Sequence, residues 1–249
     1  MNILVCISSV PDTTSPINFT DNNQSFDKNG ITFIINPYDE FCLTKAIFIK
    51  ENKSATITVL NVGKNTNDSV LRKALAIGAD NAVRINQEAE NSKIVAKCIV
   101  EYCQDKNFDI IFCGRESIDY NGGKVPGFIA EKLNLPFING CVGMDIKNET
   151  MELKREIDNG HEICESAFPA VIAGQKGLVE EKDLRIPSMR GIMSARTKSL
   201  EVIESTINIE NNIKVIHYEK PIQRSECKMI NEDNVEELVN LLNNEAKVI

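Results

Sequence analysis

The stretch Gly114 to Gly127, GRESIDYNGGKVPG, has the residue types of a loop that holds a phosphate. Its glycines let backbone N–H groups approach an anion, and the segment after it reads as a helix whose N-terminus would face that anion. Lys124 would add a point charge. The same residues also read as a plain surface turn, Asn121-Gly122-Gly123, joining a strand to a helix, and spacing alone leaves both readings open. Two better-known phosphate loops are excluded. Lys124 is followed by Val125, which breaks the pattern G-x-x-x-x-G-K-[ST], and no G-x-G-x-x-G follows the first apolar run. Proton-transfer groups are scarce. The two histidines, His161 at a turn and His217 in a thin tail, read as solvated residues, and Asp12 and Asp119 read first as turn caps. No Ser-His-Asp or Cys-His set assembles, so we expect no catalytic residues, with any redox or transfer chemistry brought by a cofactor or a partner.

The elements that must position this loop follow from periodicity. Asn2 to Ile7, Phe33 to Ile35, Thr56 to Val62, Asn81 to Ile85 and Asp109 to Cys113 are strand-like runs. Helical spacing separates them at Tyr38 to Glu51, Asp68 to Ile77 and Ser92 to Gln104, the last with Val95, Ile99 and Tyr102 or Cys103 facing inward. Asp39 and Glu40 stand in the first turn of the first helix, where acids suit the dipole. This alternation predicts an α/β fold with a parallel sheet, and ligands of such sheets bind at the carboxyl ends of the strands. After Leu135-Pro136 the register changes. Met151 to Ile157 and His161 to Ala167 flank Asp158-Asn159-Gly160 and predict an appended antiparallel hairpin. Ala170 to Ala173 is one more strand, and Glu180 to Arg196 is mixed. Within it Met189, Ile192 and Met193 share a helical face between basic residues, a face suited to the core or to docking. Beyond Leu200 come short strands, the polar Asn208 to Asn212, and Glu232 to Asn244 with Val235, Leu238, Val239, Leu241 and Leu242 on one side. We read residues 1–199 as an α/β nucleotide-binding domain and 200–249 as a C-terminal arm that lacks a core of its own and packs on the main domain or, as we expect, on a partner subunit.

Composition narrows the function classes. The 249 residues carry a formal net charge of −8, which argues against a nucleic-acid binder. No apolar run approaches the roughly 20 residues of a membrane span. The N-terminus reads as a core strand and not an export signal, which points to the cytosol. Eight cysteines are scattered without a C-x-x-C pair, and Cys98 and Cys103, five residues apart, read as lying on different faces of one helix. Neither a disulfide framework nor a metal site is expected.

Taken together the motifs resemble one family, the β subunit of electron-transfer flavoproteins. The residues that carry the resemblance are Ile3-Leu4-Val5-Cys6 with Val10-Pro11-Asp12, Ile35 to Glu40 (INPYDE), Leu71 to Asp80 (LRKALAIGAD) and Gly114 to Asp119 (GRESID). Lys154 to Glu162 (KREIDNGHE), Pro169 to Ile172 and Arg185 to Met193 (RIPSMRGIM) continue it in order. The resemblance implies a fold of the adenine-nucleotide α-hydrolase-like type and a heterodimer with an α subunit. That subunit would hold most of a redox-active FAD supplied with electrons by acyl-CoA dehydrogenases or similar flavoenzymes. It implies a structural AMP in this subunit, with Cys6, Asn36, Leu60, Val62, Ser117, Asp119, Tyr120, Gly122, Gly123, Lys124 and Val125 at the pocket, and Met189, Ile192 and Met193 at the partner-docking segment. Two alternatives stay open: a bifurcating member, with a second FAD in that pocket taking hydride from NADH, and a universal-stress-like nucleotide-binding protein. The family usually has glutamine at Lys124 and glycine at Pro126, so the nucleotide's phosphate would meet an added cation here.

Overall fold

Most of the expected runs become strands and helices of one sheet and its two flanking layers. The computed structural model describes residues 1–207, 213–222 and 227–249, so the polar stretch Asn208 to Asn212 lies outside the described residues. The strands in chain order are β1 (Asn2–Cys6), β2 (Ser9–Pro11), β3 (Phe19–Thr20), β4 (Ser25–Phe26), β5 (Phe33–Ile35), β6 (Thr56–Val62), β7 (Asn81–Asn86), β8 (Ile110–Gly114), β9 (Phe137–Lys147), β10 (Thr150–Ile157), β11 (Gly160–Ala167), β12 (Ala170–Gly174) and β13 (Leu200–Glu204). The helices are α1 (Pro37–Asn52), α2 (Asp68–Ile77), α3 (Ser92–Cys103), α4 (Val125–Leu133), α5 (Met189–Ala195) and α6 (Val235–Asn240). The chain divides into two units, Met1–Asn18 with Asp27–Lys214, and Phe19–Phe26 with Val215–Ile249.

The first unit is built on a nine-stranded sheet of order β11-β10-β9-β12-β8-β1-β6-β7-β13. Seven neighbouring strands, β9 to β13 in that order, run parallel, and β10 and β11 add antiparallel pairs at one end. Because side chains alternate along a strand, each parallel strand feeds two cores. Ile3, Val5, Ile57, Val59, Ile110 and Phe112 join the residues of α1 and α2 on one face. Leu4, Leu60, Val83, Ile85, Ile111 and Val171 join those of α3 and α4 on the other. In α3 the buried residues are Ile94, Ala96, Cys98, Ile99, Val100 and Cys103, with Val95 and Tyr102 half-buried, so Cys98 and Cys103 enter the same second core and do not part to different faces as expected.

Three elements depart from the sequence reading. Phe33 to Ile35 does form a strand, but it pairs antiparallel with β2 in a separate two-stranded ribbon. The expected hairpin of β10 and β11 is present, yet it reaches the parallel strands through β9, which periodicity did not show. The glycines at 140 and 143 interrupt β9, and the register shifts there against both neighbours. Gly140 takes a left-handed conformation, φ +63°, that a bulge requires and that most residues avoid. Finally, β13, the first run after residue 199, pairs with β7 as an edge of the main sheet.

The second unit is small. β3 and β4 pair around Asp21, Asn22 and Asn23, all three with positive φ. Phe19 stacks on Tyr218 with ring centroids 4.9 Å apart, and the Tyr218 N–H donates to the Asn23 carbonyl. Asn234 caps α6 by accepting the Glu237 N–H. Of the apolar face read from sequence, Val235, Leu238 and Val239 on this helix are exposed, and Leu241 and Leu242 just beyond it are half-buried.

Candidate functional site

From β1 the chain steps to β6 and β7 on one side and then returns to β8 on the other, so strand order reverses between β8 and β1. That reversal opens a crevice at the carboxyl ends, where open sheets of this kind take ligands. Three polar side chains, Asn36, Asp39 and Asn61, are 1–3% exposed there, and each ties one strand-end loop to another. Asn36, just before α1, donates from Nδ2 to the Glu116 carbonyl at 2.9 Å and accepts the Ile118 N–H at 3.3 Å. Asp39 accepts the Ser8 N–H on Oδ2 and the Gly114 N–H on Oδ1, both at 2.7 Å. Asn61 donates to the Ile7 carbonyl at 2.8 Å and accepts from Asn67 at 3.0 Å. Burial pushes the Asp39 carboxyl up to about 7, against the pull of its hydrogen bonds from Ser8, Asn36 and Gly114. Sequence reading singled out Asn36 but not the other two. Asn61 carried a signal, a lone amide inside the apolar run TITVLNV, whereas Asp39 looked like an ordinary first-turn acid.

The loop after β8 starts with no room for a side chain. A Cβ on Gly114 would lie 2.3 Å from Asp39 Oδ1 and 2.8 Å from Tyr38 Cβ. Ser117 and Gly122 then exchange backbone hydrogen bonds at 3.3 and 3.4 Å, closing a short turn with Asn121 at φ +48°. Asp119 caps its own turn by accepting the Tyr120 N–H, and Asp12 does the same for the Thr14 N–H and hydroxyl, bonds that hold the Asp12 carboxyl below its ordinary value. Both aspartates therefore act as the caps that sequence suggested. Tyr120 and Lys124 are exposed, Gly123 lies close over the Arg115 carbonyl, and Val125 opens α4 with Pro126 second in the helix. Cys6, Leu60 and Val62 have buried side chains that belong to the second core, so they form the floor beneath the crevice. The Leu60 carbonyl is already held by the Ile7 N–H. Arg115 donates to Gln175 and Glu116 and lies over the Tyr38 ring, which fixes the rim on the β12 side.

Met189, Ile192 and Met193 are brought together elsewhere, on the exposed side of α5. This short helix is bolted to α2. Arg72 donates to the Ala195 and Lys198 carbonyls, both at 2.7 Å, and Lys198 reaches back to the Leu75 and Ala79 carbonyls at the end of α2. Partial burial lowers the Lys198 ammonium from its ordinary value. A Cβ on Gly191 would stand 2.2 Å from the Ala76 carbonyl oxygen, an atom of rigid helix backbone. Replacing Gly191→Ala should therefore lift α5 off α2 and cost about 1–3 kcal/mol. Limited proteolysis between residues 186 and 198 is the check, and an unchanged cleavage rate would remove this account of the contact.

The comparisons with known proteins agree with one another. A family model described as "Electron transfer flavoprotein domain" matches residues 25–208. The "Electron transfer flavoprotein subunit beta" of Bacillus subtilis is 33% identical over the whole of both chains. The chain belongs to the electron transfer flavoprotein β-subunit family. A relative of the same name from Syntrophomonas wolfei is 32% identical over 89% of this chain and 86% of its own, and that of Dictyostelium discoideum is 28% identical over 100% and 99%. Membership implies pairing with an α subunit and a role in electron transfer. Among the described residues no helix is long and apolar enough to cross a membrane, and no three His, Cys, Asp or Glu side chains group as metal ligands would. His161 lies exposed at the start of β11, outside the crevice.

Proposed function

We propose that this chain is the β subunit of a heterodimeric electron transfer flavoprotein that carries electrons from acyl-CoA dehydrogenase-type flavoenzymes to a downstream acceptor, with AMP as a structural ligand in the crevice between β1 and β8. The observation that carries the AMP reading is the commitment of the buried polar side chains. Asn36, Asp39 and Asn61 spend their hydrogen bonds on neighbouring backbone and on the Asn67 side chain, so what the crevice offers a ligand is loop amides, the α4 N-terminus and the Lys124 ammonium. This donor set suits a phosphate. The buried Ser9 hydroxyl, at the start of β2, has no partner among the described residues. An adenosine would be held over the floor of Cys6, Leu60 and Val62, beside Asn36, with its phosphate at Ser117, Asp119, Tyr120, Gly122, Gly123, Lys124 and Val125. A flavin shared with the α subunit supplies the redox chemistry of such a pair. This chain's own residues bind and orient, and Met189, Ile192 and Met193 dock the donor.

Denaturing the purified α/β complex and chromatographing the released nucleotides tests the reading. We expect one AMP for each FAD. Two FAD and no AMP would replace it with the bifurcating form, and ATP without any flavin would sink both.

A further inference from the structure

We propose that Asp39 is the positioning residue of the crevice, its carboxylate tying the Ser8 N–H beyond β1 to the Gly114 N–H at the end of β8, so that proton uptake by this one group releases one of the two loops and loosens a ligand held between them. The part that concerns a ligand rests on the nucleotide reading above. Asp39 is the third residue of α1, where an acid usually faces solvent beside its own helix's free N–H groups. Here both oxygens leave the helix instead and reach two strands on opposite sides of the point where strand order reverses. The residue is 2% exposed, and among the described residues no lysine, arginine or histidine pairs with it. Its neighbour Glu40 is the one that pairs, with Lys73.

Two acceptor oxygens are needed because both partners are donors. Once protonated, the carboxyl carries a hydrogen on one oxygen and can no longer accept two N–H bonds equally. The other titratable groups near Asp39 do not compete for this proton. Cys6 on β1 is held neutral by its hydrogen bond with Cys113 and by burial, and Cys42 on α1 is held neutral by burial. Beyond β8, Arg115 and Glu116 neutralise each other. Since burial brings the Asp39 carboxyl to about 7, the clamp changes state near neutrality.

The test has two arms. In the full chain, the amide resonances of Ser8 and Gly114 are followed from about pH 6 to about pH 9, and in the α/β complex the release of labelled AMP is timed over the same range. We expect the two amides to follow one single-proton curve and release to be about tenfold faster at about pH 6 than at about pH 8, as the protonated fraction changes. Asp39→Glu should keep a pH-dependent release, and Asp39→Asn should release quickly at every pH. Amides that do not titrate overturn the proposal, as does AMP release that is independent of pH. Amides that titrate in a complex which never takes up AMP would support the clamp and defeat the nucleotide reading alone. The wild-type measurements need no variant, so a misfolded Asp39→Asn chain cannot leave the question undecided.

Discussion

Replacing Gly114→Ala should cost the protein about 3–5 kcal/mol, an effect set by the added atom's neighbours. The new Cβ would stand 2.3 Å from Asp39 Oδ1, 2.8 Å from Tyr38 Cβ and 2.9 Å from Asn36 Nδ2, so it collides with both side chains that clamp the loops. Overpacking of this kind costs about 1–3 kcal/mol. Moving Asp39 away also breaks a buried 2.7 Å bond to the Gly114 N–H, adding about 1–3 kcal/mol for the group left unpaired. A domain has only about 5–15 kcal/mol in total, so the variant should fold but denature at visibly lower urea. Gly160→Ala is the control. Nothing lies within 4 Å of a Cβ there, and its stability should stay within about 0.5 kcal/mol of wild type. Equal urea midpoints for the two variants would show that the close packing around Gly114 is not what holds the crevice.

Much of this architecture was legible because it is local. The runs from Asn2, Thr56, Asn81 and Asp109 bury strands on both faces, and their apolar density shows it. Hairpin formation at Asn159-Gly160 is equally local, and so are the Asp12 and Asp119 turns. What escaped depends on partners far along the chain. Asp39 meets Gly114 75 positions later, and neither residue's own neighbourhood announces the contact. The same distance rule hid β9, whose two glycines break local strand propensity while its pairing with β10 and β12 keeps it extended. Gly191 is one more case, since its need to be glycine comes from Ala76 on another helix. The face of Met189, Ile192 and Met193 was visible as a pattern, but whether it pointed inward or outward was decided by that packing.

Asn36 separates the geometry of the crevice from its charge, and Asn36→Asp should be the more damaging of two substitutions above neutral pH. Asn36→Ala leaves the Glu116 carbonyl and the Ile118 N–H without their partner, and since the second bond is long at 3.3 Å the expected loss is about 2 kcal/mol. Aspartate keeps an acceptor for Ile118 but sets a carboxylate against the Glu116 carbonyl, three residues from Asp39 and in a position that is 1% exposed. An uncompensated buried charge costs about 3–5 kcal/mol. That penalty raises the carboxyl's folded pKa above its unfolded value. The stability of the variant is then greatest below the unfolded pKa and is lost as pH rises through the folded one. When protonated, the same side chain donates to Glu116 and accepts from Ile118, which restores the pattern asparagine makes. Acidification should therefore shrink the stability gap between Asn36→Asp and wild type strongly, while the gap for Asn36→Ala narrows less, since that variant loses only the Asn36 bond that steadies the Asp39 carboxylate. Urea denaturation of the three proteins at several pH values reads this directly, and a gap for aspartate that does not narrow would mean that the bond to Glu116 is not what fixes the loop.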